Sequence, residues 1–385
     1  MSGHSIGRTV IVHRDEFAYN AHPSIAVLDN GEWLVGFGSA QRRRPRRHPP
    51  DDPLFRTLMT RSSDRGETWE EPYFAPGFDW SGVEPPGVSQ LVNGNVVLTQ
   101  FRFGWYPLGV AKIRRAAGEP VFIKLPGRGW TDEFTDEEWD ESTDPFARGE
   151  NGLYSHLSTD GGRAFGGTVK IDTGPYVDGF TRTGVVEMSD GRIGYAVTEH
   201  SAGGRTYALF SEDGCETWGP PVPVVDASGI PFSEPHLAEV SPGEIYCVLR
   251  DGRSNPQNGY EGYLLGCRSQ DGGNTWTDPE PTPMLGFPGH LLVLGDGRLL
   301  CTYGRRKAPF GIRASLSEDG GRTWQVDHEI VIRDDLPNGW STGGDSDLGY
   351  PTTIEYGPGK LFCCYYGQEP DGVTCIQGTF VTLDS

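Results

Sequence analysis

The chain has 385 residues and carries 53 acidic against 33 basic side chains, a formal charge of −20; this balance repels phosphate at long range and excludes nucleic acid as the expected partner. Its 36% hydrophobic content contains no unbroken apolar run of membrane-spanning length, and the start MSGHSIGRTV lacks the apolar segment of a secretory signal. The seven Cys are odd in number, fall mostly in strand-like runs and include no Cys-x-x-Cys pair, which suits buried reduced thiols, a cytoplasmic location and no zinc site.

In chain order, Thr9–Val12 (TVIV) reads as a strand, and PSIAVLDNGEWLVGF, an apolar alternation broken at Gly31, reads as a β-hairpin. The basic run Arg42–Arg47 that follows is either a solvated loop or a supply of cations near an acidic ligand. Ser62–Trp69 (SSDRGETW) is then a turn in which Asp accepts backbone N–H groups, Gly supplies φ > 0 and Trp fills the crevice alongside. Hairpin and box recur: hairpins turn at Gly94, Gly191, Gly243, Gly297 and Gly359, and boxes stand at Ser158–Phe165 (degraded), Ser211–Trp218, Ser269–Trp276 and Ser317–Trp324. Residues 111–150, Gly/Pro-rich and acidic, form an insertion in the second unit, a surface excursion or lid. The chain ends on a strand-like run, Thr374–Leu383.

Six hairpins separated by five boxes count six copies of one supersecondary unit. The last copy is one strand short, and Thr9–Val12 is a strand without a unit. Pairing the two termini solves both problems and leaves no long bare sheet edge. The expected fold is all-β: a single six-bladed β-propeller over residues 1–385.

In such a ring the first strand of each hairpin lines the central channel and starts at the rim where ligands sit. Nine residues before each turn Gly lie His22, Pro85, Arg182, Glu234, Pro288 and Tyr350, and seven residues after it lie Arg250 and Tyr366. Four of the first six can do chemistry where a structural strand prefers Val or Ile. Their convergence from different blades marks the rim as the candidate site. His236 and His290, each seven residues before its Gly, form a possible trio with His22; hydrogen-bonded, inward-facing imidazoles are the favoured reading over metal ligands, and no cofactor is implied.

These boxes and rim residues resemble the Asp-box (BNR) repeats of the sialidase superfamily, and the resemblance covers nearly the whole chain. It implies a Tyr nucleophile paired with a Glu, an Asp acid/base and three Arg that clamp a substrate carboxylate. Residue by residue, Tyr350 in SDLGYPTTIEYGPG resembles the nucleophile, Glu234 in SEPHLAEV its partner, Arg250 the second clamp Arg and Arg313 in PFGIRASLSEDGG the third. Asp51 or Asp52 resembles the acid/base. The first clamp Arg is absent: its tract here is Asn20-Ala-His22-Pro23. Imidazole offers no bidentate fork, which opens the substrate to sugars other than sialic acid.

The resulting expectation is an exo-glycosidase acting at the non-reducing end of a glycan with retention. Tyr350, Glu234 and Asp51 or Asp52 are its catalytic groups, and Arg250, Arg313, His22, Arg182, His236 and His290 are its binding groups. Propellers that cleave rhamnosyl-glucuronate linkages use His at the rim, so a lyase or rhamnosidase-type reaction on a uronate glycan is one alternative. A non-catalytic binding propeller is the other.

Overall fold

The structure, a computed structural model, describes residues 3–43, 52–75, 81–83 (backbone), 86–199, 204–226, 232–252, 262–337 and 347–384. Six antiparallel sheets follow one another along the chain as blades of a propeller. Blade one holds Ala18–Val27, Trp33–Gln41, Arg56–Ser62 and Tyr73–Phe74; blade four holds Phe232–Ser241, Glu244–Asp251, Tyr263–Ser269 and Glu280–Leu285. In blade five the strands are Gly289–Val293, Leu299–Arg305, Gly311–Ser317 and Ile330–Arg333. Blade six takes Gly349–Gly357, Lys360–Gln368 and Thr374–Leu383 from the C-terminus and its outermost strand, His4–His13, from the N-terminus. That last pairing runs antiparallel from His4 opposite Leu383 to His13 opposite Ile376, and Val12 enters the blade-six core with Phe362 and Cys364.

The boxes are built as their residue types suggest. Ser62 Oγ accepts from the Gly66 amide at 2.7 Å and donates to Asp64. Asp64 in turn accepts from the Thr68 amide and hydroxyl at 2.9 and 2.6 Å. The same pattern repeats at Ser211, Ser269 and Ser317. The degraded box keeps the backbone bond, Ala164 N–H to Asp160, and loses the hydroxyl one. Each box aromatic packs against the preceding blade: Trp69 on Phe362, Trp218 with its indole N–H on Ser155, and Trp324 on Tyr246. Arg61, Arg192 and Arg268 reach the other way, each donating to a box carbonyl of the next blade, Gly161, Gly272 and Gly320. The boxes therefore fasten blade to blade, which is where a propeller's stability resides.

Between the second-blade strands Val96–Pro107 and Phe146–Ser158 the chain makes a helix, Leu108–Ala116, and a small hairpin, Ile123–Leu125 with Gly129–Thr131. These pack around their own cluster of Ala111, Ile123, Leu125, Phe134 and Trp139. All seven Cys are free and buried. Among the described residues no helix is long and apolar enough to cross a membrane.

The terminal clasp is testable. Deleting residues 3–13 removes the strand that covers Thr374–Leu383 and the Val12 contact in the core. The truncated chain is expected to unfold at a temperature lower by on the order of 10 °C and to aggregate. A truncation that melts like the intact chain in scanning calorimetry would show that the clasp is dispensable.

Candidate functional site

Three rim residues share an uncommon backbone state. His22, Glu234 and Tyr350 have φ of 55°, 52° and 45°, in the left-handed region, a conformation costing non-glycine residues on the order of 1–3 kcal/mol each. Each is followed by a proline, Pro23, Pro235 and Pro351, which has no N–H to give to the ladder. At each the pairing with the second strand slips: between Ala21 and Ser24, between Ser233 and His236, and between Gly349 and Thr352. The same bulge in blades one, four and six thus re-aims three side chains that regular strands would carry in register.

What the bulges bring together is a buried charge cluster. The Tyr350 hydroxyl donates to Glu234 Oε1. Arg250 donates to Glu234 Oε2 at 3.0 Å, and Arg182 from blade three stands 3.6 Å from Oε1. Glu234 is 5% exposed; burial alone would raise its carboxyl, but Arg250 and Arg182, helped by the Tyr350 hydroxyl, hold it at about 2. The Tyr350 phenol is pushed up to about 12 by burial, against the pull of Arg182. At neutral pH the proton therefore rests on Tyr350 and Glu234 is its ionised acceptor.

His22 lies across the ring of Tyr350, centroids 4.4 Å apart, and 5.1 Å from that of Tyr366. Its Nε2 is 3.0 Å from Arg182 Nη1. Arg306, in the loop after the second strand of blade five, completes the cationic side: its guanidinium is 5.4 Å from the Tyr350 ring centroid, and it donates to the Tyr366 hydroxyl at 3.4 Å. Arg250 and Arg306 both face Phe287, at 4.2 and 5.2 Å from its centroid. The Nε–H of each is buried without a hydrogen-bond partner among the described residues. Asp347 accepts from the hydroxyls of Tyr366 and Tyr19, at 2.8 and 2.6 Å.

The sequence-derived set divides. His22, Arg182, Glu234, Arg250 and Tyr350 meet in one cluster, as just described. Arg313 does not join them: it lies on the third strand of blade five opposite Tyr303, donates to the Ile312 and Arg333 carbonyls and pairs with Glu329 at 3.4 Å. The third arginine of the cluster is Arg306. His236 and His290 sit two strand positions deeper than the rim, rings 4.4 Å apart, accepting from the amides of Leu291 and Thr353. They line a channel cavity of about 420 Å³ with Ser24, Ser89 and Thr352. Burial lowers both, His290 to about 4, and their partners are backbone amides, so the three imidazoles do not converge. No cluster of metal-ligating residues occurs among the described residues. Asp52, 1% exposed, accepts from Arg43 at 2.6 and 3.0 Å and from the Leu54 amide; among the described residues none of its hydrogen bonds or ion pairs is to the Tyr350 cluster. Asp51, Pro85 and residues 44–47 of the basic run lie outside the described residues.

Sequence reasoning missed Arg306, Asp347, Tyr19 and Phe287. A proline follows four of the six rim positions, His22, Pro85, Glu234 and Tyr350, and was a usable signal for the bulges at the three of these that are described; the loop arginine and aspartate had no periodic signature.

The depression of Glu234 implies a pH-dependent stability. Its charge stabilises the fold fully above the ordinary carboxylate value of 4.5, and that contribution fades as pH falls toward about 2. A depression of this size corresponds to on the order of 3 kcal/mol. Glu234→Gln is expected to lose that much at neutral pH, with the difference from the parent closing in strong acid. A gap that stays constant as the pH is lowered, measured by denaturant unfolding, would contradict the assignment.

A family model described as the BNR repeat-like domain matches residues 138–363. A search of curated proteins returns no match. Among solved structures, a protein of unknown function from Dyadobacter fermentans aligns with TM-score 0.79 at 25% identity, covering 99% of each chain. A point mutant of the NanB sialidase from Streptococcus pneumoniae gives 0.67 at 12% identity over 97% of this chain and 70% of that one. The intramolecular trans-sialidase from Ruminococcus gnavus, solved with oseltamivir carboxylate, gives 0.65 at 14% identity over 94% of each. The two sialidase likenesses, at these identities, speak for the fold. The family match spans more than half of the chain and shows that the chain belongs to the BNR repeat-like family, here as a six-bladed propeller with the fold of the sialidases.

Proposed function

We propose that the protein is a retaining exo-glycosidase that acts on the non-reducing end of a glycan bearing an acidic or polyhydroxylated ring. The observation that carries this reading is the buried pair in which Tyr350 donates to an ionised Glu234, with arginines on three sides.

In the first half-reaction the Tyr350 oxygen bonds to the anomeric carbon and its proton passes to Glu234 Oε1. The glycosidic C–O bond breaks, its electron pair leaves on the departing oxygen, and that oxygen takes a proton from a carboxylic acid. Water then cleaves the aryl glycoside with the roles reversed. Because Glu234 is a weak base and Tyr350 a weak acid, proton transfer proceeds with carbon–oxygen bond formation and not before it. Tyrosine suits an anomeric carbon that carries an anionic substituent, since a neutral nucleophile avoids repulsion in the approach. Arg250 and Arg306, each with an unused buried Nε–H, supply the charge-assisted donors for a carboxylate. Asp51 and Asp52 remain the candidates for the acid, although Asp52 already serves as the acceptor for Arg43 and Leu54.

A panel of chromogenic glycosides, including sialosides and uronides, tests the reading. Tyr350→Phe is expected to lower kcat/KM at least about 10³-fold, and a fluorinated slow substrate is expected to add its glycosyl mass to the Tyr350 peptide of the parent enzyme. Full activity in Tyr350→Phe would rule out the tyrosine nucleophile. A product with the ultraviolet absorbance of an unsaturated uronate would instead establish the lyase alternative. No turnover anywhere on the panel, with glycan binding that survives Glu234→Ala, would establish the binding propeller.

A further inference from the structure

Arg182 does not behave as a second Arg250. Its side chain is 10% exposed against 23% for Arg250, and its guanidinium is engaged by the protein on three sides. His22 Nε2 lies 3.0 Å from Nη1, Glu234 Oε1 is 3.6 Å from the same nitrogen, and the Tyr350 ring centroid is 4.7 Å from Cζ. A guanidinium can only donate. The short contact therefore requires an unprotonated Nε2 on His22, which makes His22 the neutral Nδ1–H tautomer and an acceptor for Arg182. The strained backbone at His22, φ 55° before Pro23, is what holds the imidazole in that position.

Resting on the glycosidase reading, we propose that Arg182 acts on the enzyme's own Tyr350–Glu234 pair and that His22 is its positioning residue. The two together place a fixed cation beside the nucleophile from blades one and three, and the substrate's anionic group is left to Arg250 and Arg306. The cation balances charge during the step. When the Tyr350 oxygen bonds to carbon and releases its proton to Glu234 Oε1, negative charge passes from the carboxylate through the phenol oxygen toward the departing group. Arg182 is adjacent to both ends of that transfer.

The arrangement carries a pH requirement. Protonation of His22 would convert its acceptor into a donor and set a second cation against Arg182. Among the described residues, charged and titratable groups that face His22 include Arg182 from blade three and Tyr350 and Tyr366 from blade six, with Glu234 beyond Arg182. Of these, Glu234 is held at about 2 and both phenols are raised by burial, so neither the carboxylate nor the phenols change charge in mildly acidic solution.

The test uses the full chain and a glycoside that the parent hydrolyses. His22→Leu and Arg182→Met are each expected to lower kcat about 10- to 100-fold, the worth of one hydrogen bond to a charged group, with KM little changed. The double variant should be no worse than either single one, as expected for two residues acting as a unit. His22→Gln, whose amide oxygen can still accept from Arg182, should restore kcat. Additive losses, losses confined to KM, or no recovery of kcat in His22→Gln would overturn the proposal and make Arg182 a substrate ligand. A readout without turnover separates this from failure of the glycosidase reading. In protein labelled with ¹³Cζ-tyrosine, the Tyr350 resonance, assigned through Tyr350→Phe, should move in His22→Leu in the same direction as in Arg182→Met. A resonance that moves in Arg182→Met but not in His22→Leu would refute the positioning role whatever the enzyme's substrate.

Discussion

Glu234 is 5% exposed and ionised, and burying a carboxylate is costly unless each oxygen finds a partner. It finds them in Tyr350 and Arg250, with Arg182 close by, and the rest of the funnel follows from that compensation. The arginines fix the charge state of Glu234. Glu234 fixes the direction of the Tyr350 hydroxyl. Arg182 is fixed in turn by His22, so residues from blades one, three, four and six are tied through one anion. Arg306 adds blade five, through its proximity to Tyr350 and its bond to Tyr366.

Such a cluster requires a frame that does not relax. Three left-handed residues store strain at the rim, and strain persists only where the surroundings over-determine it. The box aromatics and the cross-blade arginines provide that frame by fastening each blade to its neighbour away from the rim. The terminal clasp closes the ring, so blade six, which carries Tyr350 and Asp347, is held on both sides.

The architecture was legible in the sequence because it repeats. A turn Gly and a box alternate along the chain, and nine residues before the Gly the same bulge recurs in blades one, four and six, so one ruler found His22, Glu234 and Tyr350. Arg250 followed because it ends the strand paired to Glu234's own. Periodicity fails where the chain leaves the strands. Arg306 lies in a loop, and the nearer-looking choice, Arg313, is turned by its strand pairing toward Glu329, on the wrong side of blade five. His236 and His290 stand as hydrogen-bonded imidazoles facing the channel, the reading favoured from the sequence, while a bulge sets His22 apart at the rim. Proximity along the sequence to a box was a poor guide, whereas position relative to the bulge was a good one.

Net charge proved a poor guide to the site as well. The chain is −20 overall, yet the cluster around Tyr350 gathers Arg182, Arg250 and Arg306 against Glu234 and Asp347. Surface charges farther away than about 8–10 Å are screened at ordinary ionic strength, while buried charges facing one another are screened far less. An anionic sugar would therefore meet weak repulsion on approach and unscreened donors at the base of the funnel.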